Sequence, residues 1–427
     1  EKEKKKMNFF NSLGSPQKIV APMVDHSGLA YRMMCRKYGA ELVYTQMFHA
    51  RMFVESEEYR KTNFQTCLND RPLVIQFCGN DPQILLQAAK LVEDCCDAVD
   101  INLGCPQGIA KRGRYGAFLM EELDLLSNIV RTMSQGLKIP VTCKTRIYKD
   151  FNRTIRLCET LTNAGASLLT IHGRTREEKK QLIGEADWNT LRRIKLHYAD
   201  KGIPIISNGG IGTMGDFYSC LEFTGVDGIM VSEAILEDPA FFSRPIPPIS
   251  YTNQMKYPLI DTPINFQPHP TVSLTSPTQY ELAMEYLDFC HLYPPPHHRT
   301  IRSHLMKFLY RYFSKHPDIR NKLGDANTLE EYESICKELG VILSQHDDSE
   351  YDDIWYSRHQ REKEKEETKT PTKTDKLKFE SFFERFMNEK NENNECGDND
   401  CDGGLFSGTG MFNDTPVDDT NVESNSK

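Results

Sequence analysis

The sequence predicts a TIM (β/α)8 barrel, then a smaller helical domain and a disordered acidic tail, and three observations carry that prediction. Eight short apolar, β-branched segments recur between Lys18 and Val231. Each is followed by a stretch whose apolar residues fall at the 3.6-residue helical period. Neither pattern continues past residue 345, where charged, low-complexity sequence begins.

The eight segments are Lys18–Ala21, Glu41–Tyr44, Leu73–Phe77, Ala98–Asn102, Val141–Thr145, Leu168–Ile171, Ile205–Ser207 and Gly228–Val231. Helical patterning between them is clearest at Ile84–Val92, Leu123–Met133, Thr154–Ala164 and Phe217–Phe223. Strands that alternate with helices build a parallel sheet, because each crossover returns the chain to the same end. Eight repeats within residues 18–243 suit closure into a barrel better than an open doubly wound sheet. No strand leads into a G-x-G-x-x-G helix turn, which weighs against a Rossmann-like sheet. Around the barrel, residues 1–17 read as an N-terminal extension and 244–279 as a Pro-rich linker or insertion. Residues 280–345 read as the helical domain and 346–427 as the tail, in which Lys376–Asn388 has the spacing of a short amphipathic helix.

The tail dominates the charge. From His346 to Lys427 there are 22 acidic and 11 basic residues, a net of −11 against −9 for the whole chain. Residues 1–345 are therefore near +2, and the acidic pI does not argue against a nucleic-acid partner. The 13 cysteines are scattered and odd in number, which points to reduced thiols in the cytoplasm or nucleus. Cys396 and Cys401 have no neighbouring His or Cys, so no metal site is expected there. No apolar run approaches the roughly 18 residues of a membrane span. Glu1–Lys6 is charged with no apolar run after it, so no signal peptide is expected. A monomer is the expected state.

Polar and ionisable residues recur at the C-terminal ends of at least six strands, the end where barrel enzymes build their sites. The first strand ends in Ala21-Pro22-Met23-Val24-Asp25, the third in Gln76-Phe77-Cys78 and the fourth in Asn102-Leu103-Gly104-Cys105-Pro106. A lone cysteine is usually a small buried hydrophobe, but a Gly-Cys-Pro turn past a strand can expose the thiol. Lys144 and Arg146 are two apart and share one face of the fifth strand, where inward cations need an electron-rich partner. His172 ends the sixth strand. The loop Asn208–Gly212, with Gly209 and Gly210, precedes a helix expected from Met214, so its N–H groups can cradle a phosphate. Further on, His297–Lys322 holds seven basic residues against one acid. Arg299, Lys307, Arg311 and Lys315 fall at multiples of four, as a stripe on one helix face would.

The run Asp100-Ile101-Asn102-Leu103-Gly104-Cys105-Pro106-Gln107 resembles the tRNA-dihydrouridine synthases. So do Ala21-Pro22-Met23-Val24-Asp25, Lys144-Thr145-Arg146, His172-Gly173-Arg174-Thr175 and Asn208-Gly209, in that order. The resemblance covers about residues 18–243 and returns at Arg302-Ser303-His304-Leu305-Met306-Lys307. Gln107–Leu119, Tyr44–Ala50 and Asp70–Cys78 look most like the eukaryotic branch that acts on D-loop positions 16 and 17.

That resemblance implies FMN reduced by NADPH, with NADH as the other candidate donor, and tRNA as partner. It implies hydride delivery to C6 of a flipped-out uracil and protonation of C5 by Cys105. Asn102 and Arg146 would hold the uracil, and Lys144 and His172 would contact the flavin. Pro22, Met23, Val24 and Gln76 would line the isoalloxazine, with Asn208, Gly209, Gly210, Ser232 and Glu233 at the FMN tail and phosphate. Relatives carry a glycine where Ala234 stands here, and many have Gly-Arg after the eighth strand where this chain has Ser232-Glu233-Ala234. Arg299, Arg302, Lys307, Arg311 and Lys315 would meet the tRNA backbone. Two other readings stay open at the level of sequence. One is an FMN barrel reductase of a free pyrimidine, like dihydroorotate dehydrogenase, and the other a non-catalytic tRNA-binding chaperone.

Overall fold

A computed structural model describes residues 9–179, 184–245 and 276–351. The acidic tail beyond Tyr351, with its expected disorder and amphipathic helix, and most of the 244–279 insertion lie outside the described residues, but the tail's first residues are ordered, with a 3-10 turn over Asp348–Tyr351 and Tyr351 buried against Tyr312. Eight parallel strands close in sequence order: β1 (Lys18–Val20), β2 (Leu42–His49), β3 (Leu73–Cys78), β4 (Ala98–Leu103), β5 (Val141–Arg146), β6 (Leu169–His172), β7 (Ile205–Asn208) and β8 (Gly228–Val231). Pairing of Lys18–Val20 with Ile229–Val231 completes the ring. All eight lie where the apolar segments put them. Only β2 runs on well past its expected end at Tyr44. The continuation Thr45-Gln46 is polar and carries a bulge against β3, so an apolar pattern stops short of it.

Alternation along the strands sorts the core into two sets. Val20, Val43, Ile75, Val99, Ile101, Cys143 and Ile171 face outward and merge with the apolar sides of the surrounding helices. Ile19, Ala21, Leu42, Tyr44, Val74, Ala98, Leu168, Ile206 and Met230 face inward as a separate cluster. That inner cluster also contains Phe10, which is 3% exposed, so the described part of the N-terminal extension plugs the barrel floor. Above it, the inward positions turn polar: Gln76, Asp100, Thr142, Thr170 and Asn208 are all buried.

The helices Gln279–Leu292, His298–Phe308, Pro317–Asp325 and Leu329–Leu343 follow the barrel. Their apolar residues are continuous with the outer barrel core. Tyr31, on the Leu29–Lys37 helix after β1, is the junction. It stacks on His304 with ring centroids 4.3 Å apart and meets Tyr286 at 6.4 Å. The expected basic stripe does not exist as one helix face. The helix ends at Phe308, a 3-10 turn spans Tyr310–Tyr312, and Pro317 starts the next helix. Arg311 and Lys315 therefore lie beyond the helix that carries Arg299, Arg302 and Lys307. Proline at the start of a helix restarts the screw, and spacing by fours cannot register that break.

Asp70 anchors the same region. Its buried carboxylate accepts from Arg32 at 2.6 Å, from Arg36 at 3.2 Å and from Thr66 at 3.2 Å. Arg32 in turn donates to the carbonyls of Ser27 and Gln65 at 2.7 Å each, tying the loop after β1 to that before β3. Removing one member of a buried ion cluster strands the other charges. Asp70→Ala should cost about 3–5 kcal/mol in urea unfolding, and a loss below about 1 kcal/mol would show the guanidinium groups find other partners.

Candidate active site

The polar layer of the barrel opens at the C-terminal ends of the strands, and the expected site residues meet there. On β4, alternation sends Asp100 and Asn102 inward, towards Gln76 of β3 on one side and Thr142 and Lys144 of β5 on the other. Gln76 Nε2 donates to Asp100 at 2.8 Å, and Thr142 Oγ1 donates to the other carboxylate oxygen at 2.6 Å. Asn102 Nδ2 donates to Gln76 Oε1 at 2.8 Å. Across the mouth, Lys144 Nζ donates to Asn208 Oδ1 at 2.8 Å, and Asn208 Nδ2 is spent on the carbonyl of Met230.

Cys105 sits just past β4, half-buried. Its turn is held from two sides. Asn102 Oδ1 accepts from the N–H groups of Gly104 and Cys105 at 3.1 and 3.0 Å. From the other side, Ala117 N donates to the Cys105 carbonyl at 3.0 Å, and Gly116 makes this approach at φ +65°. A Cβ on residue 116 would lie 2.8 Å from the Cys105 oxygen, so only glycine fits. Arg146 staples the next loops, donating to the carbonyls of Gly104 at 2.7 Å and Thr175 at 2.8 Å.

The electrostatics of the mouth are positive and poorly hydrated. Burial pushes the Lys144 ammonium down to about 8, helped by Arg146, and Arg146 down to about 10, helped by Arg174. Burial also holds His172 well below the usual imidazole range, with Arg146, Lys144 and Arg174 adding to it, so the ring is neutral at physiological pH. Arg174 donates to His172 Nε2 at 3.3 Å, which leaves the ring proton on Nδ1. The Cys105 thiol is raised by burial, only partly offset by the backbone N–H of Gln107 and by Arg146, Lys144 and Lys179. It therefore rests as a thiol, a proton donor.

Gly209 runs directly beneath His172. With φ +98°, a Cβ there would stand 2.7 Å from the imidazole Cδ2, and one on Gly210 would meet Ala186 at 3.1 Å and Trp188 at 3.2 Å. Backbone alone can pass there, because His172, Ala186 and Trp188 fill the space a side chain would need. Ser232 caps the short helix Glu233–Glu237 without a side-chain bond, and the Glu233 carboxylate acts on Arg174. Met23 packs against both core sets, and Val24 is 41% exposed on the rim.

The helical segment reaches this rim through its basic helix. His26, one turn after Val24, bonds Ser303 Oγ at 2.8 Å and Lys307 Nζ at 3.0 Å, and Arg299 lies 3.9 Å from Asp25. Several of the expected RNA-contacting cations already serve internal partners. Arg302 clamps Ala326 and Asn327, and Lys315 reaches Glu350 at 3.2 Å. Residues given no role from sequence but built into the site are Asp100, Thr142, Gly116 and His26. Asp100 was within reach of a parity argument, since it lies two before Asn102 on one strand.

Comparison with known proteins adds an independent line. The dihydrouridine synthase (Dus) family model matches residues 19–273. A tRNA-dihydrouridine(16/17) synthase NAD(P)(+)-like protein of Rattus norvegicus is 40% identical over 330 residues, 77% of this chain and 68% of that one. The tRNA-dihydrouridine(16/17) synthase of Schizosaccharomyces pombe is 38% identical over 355 residues, 80% of this chain and 84% of that one. A tRNA-dihydrouridine(20a/20b) synthase-like protein of Homo sapiens is 37% identical over 246 residues, 57% of this chain and 75% of that one.

The raised thiol has a direct readout. Alkylation of Cys105 by iodoacetamide, followed by peptide mapping, should titrate above the ordinary cysteine value of about 8.5. A midpoint below about 7 would mark a resting thiolate and rule out a proton donor.

Proposed function

The chain belongs to the dihydrouridine synthase family, and from that premise we propose that it reduces the C5=C6 bond of uridines 16 and 17 in the tRNA D loop, with FMN and NADPH. The 16/17 assignment is favoured because similarity to those relatives extends over 330 and 355 residues, against 246 for the 20a/20b protein. The observation that carries the reading is the placement of the Cys105 thiol, fixed on a glycine-tight turn beside the cations Lys144 and Arg146.

The residues fit the cofactor. Lys144 with neutral His172 offers donors to an electron-rich ring, beside the positive-φ loop Gly209–Gly210 that this reading gives to the phosphate. When bound and reduced by NADPH, FMN supplies the hydride to uracil C6. The chain supplies the rest. Asn102 keeps one amide hydrogen beyond its bond to Gln76, and Arg146 keeps three donors beyond its two carbonyls, enough to hold the uracil edge. The Cys105 Sγ–H gives its proton to C5 as negative charge develops there, and the nearby Lys144 and Arg146 stabilise the thiolate left behind. Turnover then needs that thiolate to recover a proton from solvent. Arg299, on the rim beside Asp25, and the neighbouring Lys307 are placed to meet the phosphates of an RNA whose base enters the mouth.

The deciding measurement is the visible spectrum of purified protein, then NADPH oxidation with unmodified tRNA and with free uridine. A flavin spectrum with dihydrouridine formed only in tRNA is expected. Turnover of the free base would move the substrate to a metabolic pyrimidine, and failure to bind flavin would sink the enzyme reading. Cys105→Ala should lower dihydrouridine formation by about 100-fold or more while the flavin spectrum and tRNA affinity persist. A variant with near-normal turnover would take the proton-donor role away from Cys105.

A further inference from the structure

A directional relay of hydrogen bonds runs from a buried carboxylate to the turn that carries Cys105. Asp100 has no solvent exposure and accepts from Thr142 and Gln76. Gln76 accepts from Asn102, and Asn102 accepts from the backbone of Gly104 and Cys105. An ionised carboxylate can only accept. It therefore dictates which way round Gln76 sits, with its NH2 on Asp100 and its oxygen on Asn102. By the same constraint Asn102 must turn its NH2 to Gln76 and its oxygen to the Cys105 turn. A neutral acid or an amide at position 100 removes the demand from that end, because either group can donate as well as accept, and leaves the donating N–H groups of Gly104 and Cys105 alone to hold the two amides.

From this chain we propose that Asp100 is a positioning residue for the Cys105 turn, acting through the amide orientations of Gln76 and Asn102. Its effect on turnover rests on the reading of Cys105 as the proton donor; its effect on the turn's geometry does not. The titratable groups facing Asp100 inside the ring are Lys144 on β5 and Tyr44 on β2, and the outward-facing Cys143 also feels its charge. Burial raises the Asp100 carboxyl to about 6, against the pull of Thr142, Gln76 and Lys144. Protonation in that range converts one acceptor oxygen into a donor. The relay is then held only from the turn's end and loses the charge that strengthens each bond along it, so the turn loosens as pH falls.

Hydrogen exchange of the peptide containing Gly104 and Cys105 tests this in the unsubstituted protein, corrected for intrinsic exchange from about pH 8 to about pH 5. Protection should drop roughly fivefold to tenfold on passing through the Asp100 transition, as for the loss of one net hydrogen bond. Peptides of the outer helices should stay unchanged. Asp100→Asn, which keeps the shape, should show the low protection already at neutral pH and no pH dependence. Asp100→Glu is bulkier but accepts only, so it should retain more protection than Asp100→Asn. Protection independent of pH in the unsubstituted protein overturns the proposal, even if neither variant folds. So does an Asp100→Asn protein with native protection, and a worse result for Glu than for Asn would assign the effect to packing. Dihydrouridine formation measured alongside separates the two claims. A pH-dependent turn in a protein that makes no dihydrouridine leaves the relay standing and removes the function, whereas an active enzyme with an indifferent turn removes only the relay.

Discussion

Keeping a carboxylate and several cations inside a closed sheet is the constraint on which the upper half of this barrel depends. A closed barrel offers inward positions only at alternate residues, and each polar group placed there must find its partner within the ring. The lower positions avoid the problem by being apolar and sealed by Phe10. The upper ones solve it pairwise: Asp100 with Thr142 and Gln76, Lys144 with Asn208, Arg146 with two loop carbonyls. Strand register thus becomes loop position. The groups that neutralise the interior are the same groups that fix where Cys105 and Asn102 stand.

Much of this was legible in the sequence. Eight strands, their order and the helix from Met214 follow from apolar periodicity, which is strong wherever a segment is buried on both faces. The candidate site was legible as strand-end residues, because in such a barrel the C-terminal ends of the strands share one mouth. What escaped has physical reasons. The extension of β2 is polar because it feeds hydrogen bonds to neighbouring loops, as in the bond from Asp25 N to Gln46. Parity puts Asp100 inside the ring but cannot name its partners on the neighbouring strands, and the fit of Gly116 against the Cys105 carbonyl is a contact no local pattern encodes. The basic stripe failed because charge spacing is blind to the helix ending at Phe308.

The basic residues of the helical segment also look different in three dimensions. A run of cations reads as a solvated face awaiting an anion, yet Arg302 holds the loop at Ala326 and Lys307 holds His26. Such side chains are pre-ordered by their internal partners, which reduces the conformational entropy lost when a phosphate arrives. Their number overstates the charge freely offered to a ligand. Their placement explains more than their count.

The bonds from His26 to Ser303 and Lys307 join the rim loop of β1 to the basic helix. His26 is kept uncharged, lowered to about 4 by burial and by Lys307, so the join persists across the physiological range. Two binding surfaces that share such a strut are thermodynamically linked. Any ligand that shifts the helix does work on the loop carrying Met23 and Val24, and a ligand seated against that loop alters the helix's affinity by the same factor. Whatever binds at either surface would then report, through one histidine, on the other.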